Sequence, residues 1–306
     1  MIVALKNSTA TVKIAPLGGR LVSCVVDGRE YVYGSGTDDK PDGADLYSGV
    51  LCGRHAGRIT GAVFPLDGRE VKLSANHGPN HLHGGFNSFA HRVWAHRQDG
   101  NRLELKLQSP DGEEGYPGAL DVTAVYALQD NVLSLEFTAT TTKPTLCNLT
   151  NHAYWNLAAS RNVLDHELQI FGSKYFPLDE AMLPLGQIAD VVGTRWDFRK
   201  LRPIAEDYDN CFLLDGKHGE MKQALRLRDP ASKRTLDVFT TERCVQVYTA
   251  WHWEPSVISR DGPIVRSQAF AIEPQNVADA PNHPNFPSSI LRPGETYRNR
   301  MEWRFS

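Results

Sequence analysis

A basic surplus, long apolar runs, paired-cysteine motifs and helical periodicity are all missing from this 306-residue chain. Lys and Arg number 33 against 36 Asp and Glu, a net charge of −3. That balance offers no electropositive footprint for nucleic acid or for an anionic lipid surface. No apolar run approaches the roughly 18 residues that a membrane-spanning helix needs, so no membrane partner is expected. The N-terminus, MIVALKNSTATVKIAP, lacks a basic segment followed by a long apolar one and does not read as a signal peptide. The five cysteines (Cys24, Cys52, Cys147, Cys211 and Cys244) are odd in number, widely spaced and free of any CxxC. That pattern fits reduced thiols in a cytoplasmic protein better than a disulfide framework. P-loop, GxGxxG, GxSxG and HExxH motifs are absent too, which removes the usual phosphate cradles, nucleophile elbows and zinc-hydrolase helices. A charged fraction of 23% beside 41% hydrophobic residues argues for a folded globular chain and against disorder.

What is present is β-periodicity. Residues 103–108, LELKLQ, alternate strictly, as a half-buried strand does. Residues 62–66 and 70–73 flank Asp67-Gly68, a hairpin signal, since Gly accepts a positive φ. Residues 120–128 and 131–142 are rich in β-branched and aromatic side chains, and 163–171, 224–227, 236–240, 245–249 and 296–305 continue the pattern. Only 179–182 and 219–223 suggest a helical turn. No repeat, linker or low-complexity segment breaks the chain. The expected architecture is all-β: one domain over residues 1–306, built as a large antiparallel β-sandwich. Three long irregular stretches, 34–60, 74–92 and 273–294, carry many His, Asn, Arg and Gly. Loops longer than about 15 residues inside a compact domain are commonly functional.

Five blocks carry possible chemistry. In Asn76-His77-Gly78-Pro79-Asn80-His81-Leu82-His83-Gly84-Gly85, His81 and His83 would share one face of a strand, a metal-ligand spacing. The Glu that a cupin-type site places about four residues later is missing, and the double Gly instead asks for bent or closely approached backbone. His77, His91 and His96 read as surface histidines; His83 is the one retained. In Thr150-Asn151-His152-Ala153-Tyr154-Trp155-Asn156-Leu157, aromatic neighbours exclude water and lower the histidine pKa, which suits a general acid or base. Such a mixture of aromatic and amide side chains also suits a sugar, although a lone His in an apolar strand is more often a core residue. Glu273 ends the apolar run Ala269-Phe270-Ala271-Ile272, where burial raises a carboxyl pKa toward a working pH. Asp209 opens another apolar run. Arg58, in Gly53-Arg54-His55-Ala56-Gly57-Arg58-Ile59, offers a bidentate donor fork. Taken singly, Asp209 and Arg58 read as solvated loop charges.

In this order the blocks resemble the aldose 1-epimerase (galactose mutarotase) family. Further matches are Val245-Gln246-Val247-Tyr248-Thr249, Gly193-Thr194-Arg195-Trp196-Asp197-Phe198 and the tail from Asn285-Phe286-Pro287 to Leu291-Arg292-Pro293-Gly294-Glu295-Thr296-Tyr297. The resemblance covers nearly the whole chain. It implies the family's antiparallel β-sandwich, Glu273 as general base, His152 as general acid, and His83 as an assisting group. Arg58, Asp209 and Gln246 would bind hydroxyls, with Asn80 and Trp155 as further sugar contacts. Against the family pattern, Gly57 stands where Asn is common, Trp155 where Phe is usual, and Trp251-His252-Trp253 replaces a Gly-Asn pattern.

The implied reaction opens and recloses a pyranose. A base takes the anomeric hydroxyl proton while an acid protonates the ring oxygen. The aldehyde then rotates about C1–C2 and closes to the other anomer. The step needs neither redox chemistry nor a covalent intermediate, so neither cofactor nor metal is expected. The expected partner is a monosaccharide, an aldohexose or aldopentose, and the expected state is a monomer or homodimer. Three other readings stay open at this point. They are a glycoside hydrolase using Asp209 and Glu273, a non-catalytic sugar-binding module on the same fold, and a cupin-like metal enzyme.

Overall fold

Alternation sets the fold. In Leu120–Gln129 and Val132–Thr141 every second side chain is buried, and the two-residue turn Asp130-Asn131, with Asp130 at φ +50°, joins them. The computed structural model describes residues 1–33, 47–158, 162–255, 258–259 and 262–306. The expected stretch 34–60 therefore lies partly outside the described residues.

Two large sheets dominate. The first has nine strands in the order Ala95–Asp99, Arg102–Ser109, Leu120–Gln129, Val132–Thr141, Tyr297–Phe305, Thr235–Thr240, Lys222–Arg228, Glu167–Ile170 and Arg202–Pro203. The second has seven: Ala189–Asp190, Lys174–Tyr175, Asp209–Leu213, Cys244–Tyr248, Phe270–Gln275, Tyr154–Trp155 and Val32–Tyr33. Neighbouring strands run antiparallel in both. A four-stranded sheet from Val3–Lys6 to Arg29–Glu30 flanks them. The result is the large antiparallel β-sandwich that the strand pattern predicts. The Asp67-Gly68 hairpin is present, with both residues at positive φ (49° and 77°), the backbone that a two-residue type I′ loop requires.

The inner faces of the sheets share one buried cluster that takes in Val3 near the start and Phe305 near the end, with Phe137, Val247, Ile272 and Trp303 between. The predicted helical turns do not form. Asp179 instead caps a loop, its Oδ1 accepting from the Ala181 and Leu183 N–H groups at 2.9 Å. Residue 219 lies in a turn that runs straight into Lys222–Arg228. Helical structure among the described residues is confined to 3-10 turns of three residues. No described helix is long and apolar enough to cross a membrane. All five cysteines are free and buried.

Candidate active site

The seven-stranded sheet turns one face to the core and the other to a cavity of about 470 Å³, within the usual range for small-molecule sites. Side chains alternate across a strand, so pairing fixes which residues look into the cavity. Cys211 is paired with Gln246 and Gln246 with Glu273; one step along, Asp209 is paired with Tyr248, Tyr248 with Ala271, and Ala271 with Tyr154. Asp209, Cys211, Gln246, Tyr248, Glu273 and Tyr154 all line the cavity. The residues between them, Phe212, Val245, Val247, Phe270 and Ile272, belong to the core cluster.

The same register brings an imidazole and a carboxyl together. Tyr154 lies opposite Ala271. Continuing that register by two residues sets His152 opposite Glu273 on the cavity side. His152 Nε2 stands 3.5 Å from Glu273 Oε1, with the side chains only 7% and 3% exposed. Burial lowers the His152 pKa to about 4. Burial, helped by the nearby Asp209 charge, holds the Glu273 carboxyl well above its usual range, with Arg58 pulling the other way. Both groups are thus driven toward their neutral forms, since a low-dielectric site penalises either charge. The pair is therefore a neutral imidazole beside a carboxyl that gives up its proton reluctantly. Glu273 Oε2 and Gln275 Oε1 are buried without a hydrogen-bond partner among the described groups, so the cavity floor has acceptor capacity to offer a polar ligand.

His83 sits beside this pair, its ring centroid 5.3 Å from that of His152 and 4.6 Å from that of Tyr47. The Gly57 N–H donates to His83 Nδ1 at 3.3 Å. A backbone N–H only donates, so Nδ1 is the lone-pair nitrogen and the neutral ring carries its proton on Nε2. Burial, then His152 and Arg58, keep the His83 pKa well below normal. His83 has φ +49°, followed by Gly84 and Gly85 at +94° and +95°. A Cβ on Gly84 would lie 1.8 Å from the Gly53 carbonyl oxygen, so only glycine permits this contact. Arg58 Nη1 lies 3.9 Å from Asp209 Oδ2, and Gln246 Nε2 donates to Asp209 Oδ1 at 2.6 Å. Asp279 anchors the Arg58 loop: its N–H donates to the Arg58 carbonyl at 2.8 Å, and its carboxylate accepts from Thr60 N–H and Oγ1.

The fold thus brings together His152, Glu273, His83, Arg58, Asp209 and Gln246. It separates the other two sequence candidates from them. Trp155 is fully buried and packs on Trp303 and Phe305. It is one residue past the cavity-facing Tyr154, so it points into the core and is not a sugar contact. Asn80 does not line the cavity. Its Oδ1 accepts from Gly61 N–H at 2.9 Å, which makes it a loop brace. The His81–His83 metal spacing fails as well, because the positive φ at His83 ends the strand geometry. His81 is buried elsewhere, with Nδ1 facing the Ser74 carbonyl and Nε2 facing Tyr116 Oη, each at 2.7 Å. Among the described residues, no group of three or more His, Cys, Asp or Glu is placed to hold a metal ion. Conversely, His77 borders the cavity, although its sequence context reads as plain surface. Tyr154, Tyr248, Gln275 and Trp253 also line it. The first three lie two residues from His152, Gln246 and Glu273, so counting by twos along each strand locates them.

Comparison with known proteins gives the family of this antiparallel sandwich and its buried, cavity-facing imidazole–carboxyl pair. The aldose 1-epimerase family model matches residues 1–304. The chain is 39% identical over 271 residues to galactose mutarotase of Bos taurus, covering 85% of this chain and 79% of that one. It is 33% identical over 321 aligned positions to aldose 1-epimerase of Escherichia coli K12, covering 98% and 93%. The crystal structure of the GalM/aldose epimerase homologue from C. elegans superposes with a TM-score of 0.94 at 28% identity, covering 100% of this chain and 98% of that one. The chain belongs to the aldose 1-epimerase family, and it is an isomerase that exchanges the anomers of a sugar.

Proposed function

We propose that Glu273 and His152 are the general base and general acid of the anomer exchange, on a monosaccharide held in the cavity. The observation that carries the reading is the 3.5 Å approach of His152 Nε2 to Glu273 Oε1 at the cavity wall. The carboxylate takes the anomeric hydroxyl proton, and the imidazole gives its proton to the ring oxygen. The C1–O bond opens, the aldehyde rotates about C1–C2, and the roles reverse on closure. At neutral pH the ring donates from its neutral state, since its pKa lies near 4; a neutral imidazole kept so by its surroundings is an established electrophile. His83, with its proton on Nε2, donates a hydrogen bond to the sugar. Arg58, Asp209 and Gln246 hold the remaining hydroxyls, the guanidinium and amide donating and the carboxylate accepting.

Polarimetry of a freshly dissolved α-anomer tests the assignment. Glu273→Gln is expected to lower kcat by about 10³-fold and His152→Asn by about 10²-fold, within the range for general acid–base groups. Sugar binding should change little in either case. A Glu273→Gln variant at the parental rate defeats the base assignment; a fully active His152→Asn transfers the acid role to His83. The base must be ionised to work. Activity is therefore expected to fall as pH drops through the raised Glu273 pKa, at a pH above the ordinary carboxylate value of 4.5.

A further inference from the structure

The strands that bring His152 and Glu273 face to face stop being paired before they reach them. Backbone pairing between the two segments covers only Trp155 with Phe270 and Tyr154 with Ala271. Beyond that point Thr150 and Asn151 pair with Cys52 and Leu51 instead, and the other segment contains Pro274, which has no N–H to donate. Side chains take over. Thr150 Oγ1 donates to the Pro274 carbonyl at 3.0 Å. Asn148 bonds Asn276 at both backbone groups: its Oδ1 accepts from the N–H at 2.9 Å, and its Nδ2 donates to the carbonyl at 3.2 Å. Asn299, from the opposite sheet, adds an Nδ2–H to the Pro274 carbonyl at 3.2 Å. Thr150, Asn148 and Asn299 are all essentially inaccessible to solvent. Thr150 is two residues from His152, and its acceptor is the carbonyl of the residue next to Glu273.

From this juxtaposition we infer that Thr150 is a positioning residue for the reaction, its hydroxyl holding the base-bearing strand at working distance from the acid-bearing segment. Asn148 does the same one step further out. Neither side chain lines the cavity, so each acts through the placement of Glu273 and His152. The inference rests on the acid–base assignment above. It adds that the pair's separation is set by side-chain hydrogen bonds where the ladder has ended. Misplacing a reacting group by about 1 Å can cost on the order of 10²-fold in rate.

The test compares Thr150→Val, which keeps the shape and removes the hydroxyl, with Thr150→Ser, which restores it, by polarimetric kinetics and a pH–rate profile well below the unfolding temperature. Thr150→Val is expected to lose roughly 10- to 100-fold in kcat with KM within about twofold. Its acid limb should also shift, because the Glu273 surroundings change. Thr150→Ser should recover to within about threefold of the parent. A purely structural role would lower the unfolding temperature and leave kcat and the acid limb alone; that result overturns the inference, as does a Thr150→Ser variant as slow as Thr150→Val. Should Thr150→Val not fold, Thr150→Ala carries the same expectation and the same refutation. If Glu273→Gln is inactive while Thr150→Val is fully active, only the positioning role fails. If Glu273→Gln is itself fully active, the acid–base assignment falls first.

Discussion

The two large sheets are built from the same alternation and use it differently. In the nine-stranded sheet the face away from the core meets water: Leu120–Gln129 reads buried, exposed, buried, half-buried along its length. In the seven-stranded sheet the face away from the core meets the cavity, and all of Phe270–Gln275 is buried. Burial therefore does not distinguish the working face from the core face there; polarity does. Glu273 and Gln275 are 2% and 1% exposed, as inaccessible as Ile272, the core residue just before Glu273. The lesson is that an active site can be interleaved with a hydrophobic core one residue apart on the same strand.

Neighbour pairs can break that comparison. The largest expected contrast is between Glu273→Gln and Ile272→Ala. The first should remove about 10³-fold of rate with no loss of folding stability, since it replaces a carboxyl whose charged form burial disfavours. The second should cost about 2–5 kcal/mol of stability and leave the KM of the folded enzyme unchanged. Polarimetry and urea unfolding of both variants decide it. Next come Trp155→Ala and Tyr154→Phe. The indole variant is expected to lose about 3–5 kcal/mol without a change in KM, whereas a Trp155 that touched sugar would raise KM. Tyr154→Phe should leave stability nearly unchanged and alter KM instead.

The pH dependence of stability sharpens the same point. His166 and His152 are buried with folded pKa values of about 4, lowered by burial. The unfolded chain then binds more protons than the folded one between about pH 4 and 6.5, so stability rises with pH across that window. It is lost as pH falls through it, by roughly 3 kcal/mol for each histidine. Glu273 has the opposite sign. Its folded pKa is raised, so its contribution diminishes as pH climbs from about 4.5. Urea midpoints measured from pH 4 to 7 should increase with pH, and His166→Gln should flatten the slope by about one proton. The smallest effect expected is for Gln246→Leu: KM higher by several-fold, about 1 kcal/mol for one hydrogen bond, with kcat close to the parent.

The strands of the nine-stranded sheet were legible because water on one side leaves a polar–apolar signature in 103–108 and 120–128. The six residues that meet at the cavity, His152, Glu273, His83, Arg58, Asp209 and Gln246, were legible through the resemblance of short blocks. Within those blocks, the resemblance offered Trp155 as a sugar contact, but its odd spacing from His152 turns it inward. Asn80 shared a block with His83 but braces the neighbouring loop. The break in pairing beyond Tyr154 and Ala271 could not be read from the sequence, because it depends on Cys52 and Leu51 arriving from a distant part of the chain.

The odd–even division of the Cys244–Tyr248 and Phe270–Gln275 strands has a consequence for how such a protein can change. Substitutions at Gln246, Tyr248 and Gln275 remodel the cavity wall while the packing contacts of Val245, Val247, Phe270 and Ile272 are left in place. A single-residue insertion or deletion in either strand would instead exchange the two sets, turning apolar side chains toward the sugar and carboxamides toward the oil. New preferences among aldoses are therefore open to this scaffold by replacement on one parity and closed to it by changes in strand length.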